Sequence, residues 1–528
     1  MKINPTSQCL SLIIRSLDQI ILPELTSKAA TSAGAQIKLQ LEDLLKRQGE
    51  GMMLLRDLIG KGNELAARAS TLLEDPFIAH RSTRIILVSR QVGGFDVLAE
   101  QHAKLTALID EACRSLCRLT STSAEASKLL QEMAIWEWSY YDGMAAVRPK
   151  LFEDSDPLSS RERTLQGLHR NNGPPLSEEF LEGFLTQRHG PTKVRSLGFL
   201  PGGFGKQTYF STVTWQDGRT EELVIRKMDP VPIMLHRQFL LDREFDLVSL
   251  VHKTGFICPQ PMDLGWDVPG VDGNFYTMKR MRGEIPGSFL EGNKEAIPES
   301  LLLHCAELLA QLHKTPLKPF QDHIERFDGP GATNDTIEQR MRRHLGSWDK
   351  YRAETELLPS PFQTFVFDWL RRNVPRDTRW PVLLHGDFGI HNMLSVGDRI
   401  TAVLDWECSD FGAPEQDLEW IRPSVSEHMD WARFLAHYHA CGGQEVREDV
   451  RAFYGMWGMA RPFLSLGRAT RNLQTGANKD IRYVMCELGF TGAFFKMMLG
   501  VIAPKEEQEE TPVNRTPKGA GNGAQAKL

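Results

Sequence analysis

No stretch of this chain is long and apolar enough to cross a bilayer. The most hydrophobic late run, 489–503, is too short and carries Lys496, where a spanning helix needs about 20 apolar residues. A secretory core is missing as well, because Arg15 and Asp18 interrupt the apolar residues of 10–25. Neither membrane insertion nor export is therefore expected. There is no surplus of positive charge: 62 Lys+Arg stand against 68 Asp+Glu, a formal net charge of −6. Nucleic acid is not expected as a partner, since neutralising phosphates takes a basic excess. The 8 cysteines include no Cys-x-x-Cys pair. Cys113 and Cys117 lie one helical turn apart, a spacing that suits two half-buried thiols better than a zinc site. Scattered thiols point to a reducing, cytoplasmic compartment. Internal repeats are absent too. What is present, 41% hydrophobic and 25% charged residues, is ordinary for a globular protein with sizeable cores. At about 150 residues per domain, the length predicts three to four structural units.

Residues 1–150 read as an all-α helical bundle. Leu10, Ile13, Ile14, Leu17, Ile20 and Ile21 recur at helical spacing, and the pattern returns over 39–59, 98–119 and 126–141. Four such stripes suit either a docking or self-association module or a buttress for the next domain. Asp156-Pro157, Asn171-Asn172-Gly173 and Pro174-Pro175 mark a linker over 151–175, which few contacts are expected to cross. A β-rich lobe is predicted over 176–284: a helix at 176–189, then strands at 194–200, 208–215, 222–228 and 274–279, with Asp217-Gly218 as a hairpin turn. Helices dominate 285–503 around a β-rich patch at 382–394 and 400–404. The charged, Gly-rich 504–528 reads as a disordered tail.

The chemistry concentrates in His385-Gly386-Asp387-Phe388-Gly389-Ile390-His391-Asn392 and in Leu404-Asp405-Trp406-Glu407, each delivered by an apolar strand. A carboxylate, an amide and a second carboxylate form a hard, oxygen-rich set suited to Mg2+. One acid is left to orient or deprotonate a hydroxyl, which is the division of labour in phosphoryl transfer. Upstream, Gly202, Gly203 and Gly205 lie between two strands, where backbone N–H groups can approach phosphates. The motif fits neither G-x-x-x-x-G-K-[ST] nor G-x-G-x-x-G. Arg226 and Lys227 follow on the next strand and point to opposite faces.

His-x-Asp-x-x-x-x-Asn followed by a strand ending in Asp resembles the catalytic arrangement of the protein-kinase-like fold. The Gly after His385, the Leu-Asp-Trp-Glu run and then Gly412-x-Pro414-x-x-Asp417-Leu418 are similar to the aminoglycoside phosphotransferase and choline kinase family, over about residues 176–500. The resemblance implies an α+β bilobal fold, a small β-rich N-lobe and a helical C-lobe, here preceded by the all-α bundle. It implies Asp387 as catalytic base, His385 as a brace for the loop, and Asn392 and Asp405 as magnesium ligands. ATP (or GTP) would lie against Gly202, Gly203 and Gly205, with Arg226 on the phosphates and Glu244, in a helix read over 235–251, as its partner. Kinases usually carry Lys where Arg226 stands, so the gripping residue is open between Arg226 and Lys227. Backbone groups from Lys279 to Met281 would meet the adenine edge. Asp410-Phe411-Gly412 spells the magnesium motif of protein kinases, yet Asp405 ends the strand. Asp410 is expected in a Gly/Pro loop, as a loop or substrate-side residue, and Asp417 as a helix cap.

The acceptor is expected to be a hydroxyl on a small molecule, and the extra helical half tilts this towards a metabolite. Glu415, Asp417, Glu419, Glu427 and Asp430 would suit a cationic acceptor, although solvated helices look the same. Two other readings are a metal-dependent hydrolase built on His385, Asp387 and His391, and an inactive kinase-like scaffold acting through the bundle. His304 and His313 read as core-lining or surface residues, and Trp406, Trp420, Trp431 and Trp457 as aromatic packing.

Overall fold

The computed structural model describes residues 6–26, 28–47, 49–89, 94–147, 174–200, 205–287, 297–355, 357–477, 483 and 486–502. Gly202 and Gly203, linker residues 151–173 and the tail 504–528 lie outside the described residues.

The N-terminal stripes fold as six helices: α1 (Thr6–Ser16), α2 (Lys28–Arg47), α3 (Glu50–Leu72), α4 (Pro76–Ser89), α5 (Phe95–Leu116) and α6 (Ala124–Val147). The periodic run 39–59 is broken at Gly49, which leaves helical geometry with φ −118° and ψ −94°. A five-stranded antiparallel sheet follows α7 (Glu178–His189): β1 (Lys193–Leu200), β2 (Lys206–Thr214), β3 (Thr220–Met228), β4 (Pro261–Gly265) and β5 (Phe275–Lys279), in the order β1-β2-β3-β5-β4. Strand alternation buries Val213, Leu223, Ile225 and Phe275 against Leu181, Phe184 and Leu185 of α7. β4 escaped the sequence reading because it is short and its pairing with β5 is interrupted. The helix expected from residue 235 begins later, as α8 (Leu241–Lys253), because a short turn at Arg237–Phe239 precedes it.

The C-lobe is built from α9 (Glu299–His313), α10 (Gln321–Asp328), α11 (Ile337–Glu354), α12 (Pro361–Arg372), α13 (Glu415–His428), α14 (Trp431–Ala440), α15 (Arg451–Gln474) and α16 (Gly492–Ile502). They surround two ladders, β6 (Val382–Leu384) with β9 (Asp410–Gly412) and β7 (Met393–Val396) with β8 (Arg399–Val403). Asp410 therefore stands on a strand, opposite Leu384, and not in a Gly/Pro loop. The lobes are tied by a two-way backbone pair between Glu284 and Ser395, 2.9 Å in each direction.

The bundle is not set apart from the rest. Its apolar seam, including Leu58, Leu105, Met133 and Trp136, is continuous with Phe362, Val366, Trp457 and Phe495 of the C-lobe. Glu137 on α6 accepts from Ser360 Oγ (2.9 Å) and Phe362 N (2.8 Å), and Asp110 on α5 accepts from Thr364 Oγ1 (2.6 Å). Tyr141 stacks on Phe495 at 5.0 Å. The expectation that few contacts cross after residue 150 is thus corrected. An amphipathic stripe shows that a face is covered, but not which element covers it. Among the described residues no helix is long and apolar enough to cross a membrane.

Candidate active site

The loop after β6 is held from three sides. Gly386 takes φ +78°, and a Cβ there would stand 2.1 Å from the carbonyl oxygen of Cys408, so the position requires glycine. Asp417, fully buried in the first turn of α13, accepts from the backbone N–H of His385 (2.8 Å) and Gly386 (2.7 Å). Burial opposes its charge, but His313, 3.3 Å away, and these N–H groups hold its carboxyl below the usual range. Asp417 is therefore a brace for the loop, and its expected role as a helix cap is corrected. His385 donates from Nε2 to Leu404 O (2.9 Å), and its Nδ1 accepts from Asp387 N (3.3 Å). Burial lowers its pKa and keeps it neutral. With both ring nitrogens engaged, His385 offers no free lone pair to a metal, so the histidine-ligated hydrolase reading loses one of its two histidines.

Asp387 and Asn392 meet directly: Asn392 Nδ2 donates to Asp387 Oδ2 (2.8 Å) and to its backbone carbonyl (3.0 Å). That leaves the amide oxygen of Asn392 as its free acceptor. His391 Nε2 lies 3.4 Å from Asp387 Oδ1.

Across the cleft lies a charged node. Arg226 reaches Glu244 (Nε to Oε1, 2.9 Å), Asp405 (Nη2 to Oδ1, 2.5 Å) and Glu407 (Nη2 to Oε2, 3.0 Å). Lys206 reaches Glu244 (2.5 Å) and Glu407 (2.6 Å). Tyr276 donates to Glu244 (2.9 Å). Lys227 points to the other face of β3, fully buried against Asp272 (2.5 Å) and Gln207 (3.1 Å). Asp405 sits in the left-handed region, φ 61° and ψ 69°, two residues past the end of β8, while Leu404 N between them donates to Asn392 O (2.7 Å). Burial pushes the Asp405 carboxyl up to about 7. Glu407 is equally enclosed, yet Lys206 and Arg226 hold it down at about 2.

Of the expected site residues, His385, Asp387 and Asn392 form one contact group, and Arg226, Glu244 and Asp405 another. The two are joined through Leu404 and Asn392. Gly205, φ +93°, immediately precedes β2, and its N–H donates to Tyr483 Oη (3.2 Å). The N–H of Lys279 is taken by Gln260 O (2.9 Å) and that of Arg280 by Glu222 O (3.0 Å). The Lys279 N–H is thus not available to a base edge, and Met281 lies one residue beyond those sheet bonds. Sequence reasoning missed Lys206 and Glu407. Lys206 shares a face of β2 with Thr208, which pairs with Arg226 across the ladder. Glu407 stood in the quoted Leu-Asp-Trp-Glu run.

Asp410 is buried between Arg243 (3.6 Å), Arg340 (3.5 Å) and His344 (3.3 Å), which hold its carboxyl down at about 2 against the effect of burial. Asp328, His344 and Asp410 are close enough to share a cation, but Arg243 and Arg340 already neutralise both carboxylates there. The acidic residues suggested for a cationic acceptor are largely engaged in the fold. Arg379 (2.9 Å) and Arg447 N (2.8 Å) bind Glu415, and Arg422 (3.1 Å) and Arg451 (3.0 Å) bind Glu419.

A glycine-bearing antiparallel lobe set on a helical lobe, with acid-amide-acid at the junction, defines a kinase-like phosphotransferase. The family model described as "Phosphotransferase enzyme family" matches residues 196–462, and the chain belongs to that family. Among curated proteins it is similar to acyl-CoA dehydrogenase family member 11 of Gallus gallus, 29% identical over 46% of this chain and 29% of that protein. It is also similar to family member 10 of Mus musculus, 26% identical over 46% of this chain and 21% of that protein. The chain spans less than a third of the length of these relatives. Among solved structures, a putative aminoglycoside phosphotransferase of Ralstonia eutropha JMP134 aligns with TM-score 0.43 at 17% identity, covering 62% of this chain and 98% of that one. An aminoglycoside phosphotransferase in complex with ADP and hygromycin B aligns with TM-score 0.40 at 16% identity, covering 61% and 99%.

Proposed function

We propose that this phosphotransferase moves the γ-phosphoryl group of ATP to a hydroxyl of a small molecule, with Asp387 as base. The observation that carries the reading is the asymmetry of the Asp387 carboxylate. Asn392 occupies Oδ2, while Oδ1 has no hydrogen bond among the described residues and faces the imidazole of His391, whose Nε2 lies 3.4 Å away. An oxygen held in place but unbonded suits a substrate hydroxyl, which it would orient and whose proton it would accept. Across the cleft, three carboxylates face two cations, so the node carries a surplus negative charge once Asp405 is ionised, as a bound cation would make it. That surplus and the hard oxygens of Asp405 and Asn392 fit Mg2+, which when bound would neutralise phosphate charge. Arg226 and Lys206 would turn to the phosphates, Arg226 with a bidentate fork where Lys is usual. Gly202, Gly203 and Gly205 would pass over them, with Met281 at the base edge.

An ATP-consumption screen against hydroxylated metabolites and antibiotics tests the reading. Magnesium-dependent ADP formation that requires an acceptor is the expected result. A folded chain that fails to bind ATP with Mg2+ would instead favour the scaffold alternative.

A further inference from the structure

Helix α15 carries a stripe of three side chains that each hold a buried donor with no partner among the described residues. Tyr454, Trp457 and Arg461 follow at i, i+3 and i+7, on one helix face. Their exposures are 1%, 1% and 4%, and Tyr454 Oη, Trp457 Nε1 and Arg461 Nε have no hydrogen-bond partner among the described residues. Buried polar atoms are ordinarily paired, so successive unpaired donors on one face call for a cause.

Arg461 is the sharpest case. Its Nη2 makes one long contact, 3.4 Å to the carbonyl oxygen of Gly386, and its guanidinium lies 5.4 Å from the centre of the Trp457 ring. Among the described residues no carboxylate stands within ion-pair reach of it. Arg226, Arg243 and Arg340 each have at least two. A guanidinium cannot shed its charge, and burying it without a counter-ion is costly. Gly386 directly precedes Asp387, so this uncompensated charge borders the loop that carries the proposed base. Two and three turns further on, Arg468 Nε (3.1 Å) and Asn472 Nδ2 (3.4 Å) donate to Pro232 O, so α15 runs from the catalytic loop to the segment after β3.

We infer that Arg461 anchors the acceptor, and that the acceptor is a hydroxylated anion whose carboxylate or phosphate pairs with Arg461 while its hydroxyl meets Asp387. The inference rests on the phosphotransferase reading and deepens it. In the step, the acceptor oxygen bonds to the γ-phosphorus as the bond to the β,γ-bridging oxygen breaks. ADP leaves, and the hydroxyl proton passes to Asp387.

The test measures Mg2+-dependent ATP consumption by the full chain with glycerate, 3-hydroxybutyrate and glycerol 3-phosphate, and in parallel with glycerol, choline and hygromycin B. Only the anionic probes should accelerate it, and comparing the carboxylates with the phosphate separates the two anion types. Arg461→Met should raise KM for an accelerating anion about tenfold or more, as expected when one partner of a buried charge pair is lost. Nucleotide affinity should stay unchanged, and Arg461→Lys should recover part of the loss. Equal acceleration by glycerol or choline, or an unmoved KM, overturns the proposal. An effect on nucleotide affinity would assign Arg461 to the γ-phosphoryl group and overturn it likewise. If no probe accelerates the reaction, sulfate decides. It should raise the melting temperature of the ADP–Mg2+ form of the parent but not of Arg461→Met, and equal responses overturn the inference. Without sulfate, Arg461→Met should melt no lower than the parent, whereas a merely structural arginine would lower it. Failure of the parent to bind ATP at all would count against the phosphotransferase reading itself.

Discussion

Arg226 and Asp405 hold each other across the interlobe cleft, Nη2 to Oδ1 at 2.5 Å. The group proposed for phosphate and the group proposed for magnesium are thus each other's counter-ions when no nucleotide is present. Entry of an anionic nucleotide with a divalent cation exchanges partners, and both charges remain compensated.

Arg226→Met should therefore destabilise the protein as well as weaken nucleotide binding. It leaves Lys206 alone against Glu244, Asp405 and Glu407. Breaking a buried ion pair on one side costs about 3–5 kcal/mol, and the Arg226 side chain is only 12% exposed. Denaturant unfolding should show a loss of that order, with Arg226→Lys closer to the parent because it keeps the charge but not the fork. An Arg226→Met protein as stable as the parent would contradict the network.

Asp405 and Asp410 should separate cleanly. Asp405→Ala is expected to abolish the magnesium-dependent part of nucleotide binding. Asp410→Ala should leave that dependence in the folded protein but lower stability by about 3 kcal/mol or more, because Arg243 and Arg340 lose a buried counter-ion. Nucleotide titrations with and without Mg2+ on both variants decide it, and the reverse pattern would make Asp410 the ligand.

The motif residues were legible because phosphoryl transfer demands particular groups at short spacings. Asp387 and Asn392 are five positions apart on one loop, and their contact follows from that loop. Partners distant in sequence were not legible. Nothing local says that Asp417 binds the backbone of His385, or that Arg243 and Arg340 converge on Asp410. The strand Asp410–Gly412 has only three residues and exists because β6 offers an edge, so a glycine two positions before a proline read as loop. Periodicity gave four stripes and the all-α character of the bundle, but not α4, the break at Gly49 or the joint core with α12 and α16, since a stripe does not name its partner.

That joint core leads to a further expected outcome. A chain shortened to begin at Leu176 would expose Phe362 and Phe495 and leave Ser360, Phe362 and Thr364 without Glu137 and Asp110. It should aggregate or melt well below the full chain, as read by light scattering during a thermal ramp. A soluble, cooperatively folding product with intact ATP binding would show that the bundle is dispensable.

Burial pushes the Glu137 carboxyl up to about 8, even though Phe362 N–H and Ser360 pull it down. An unfolded glutamate titrates near 4.3. Between about 4.3 and 8 the folded chain holds a proton that the unfolded chain has lost, so this group makes stability fall as pH rises through that window. Glu137→Gln should remove the dependence, and the parent should lose stability relative to the variant between about pH 5.5 and pH 8 in denaturant melts. Parallel profiles would contradict the assignment.

The central claim is that Asp387 activates the acceptor hydroxyl from a position fixed by Asn392. It is tested most directly by comparing acceptor-dependent ATP turnover in the parent and Asp387→Asn, with ATP–Mg2+ affinity measured alongside. The amide keeps the shape but cannot take the proton, so turnover should fall about a hundredfold or more with affinity nearly intact, in line with general-base contributions. Turnover within about tenfold of the parent would contradict the claim, because a loss that small lies below what removal of a general base costs.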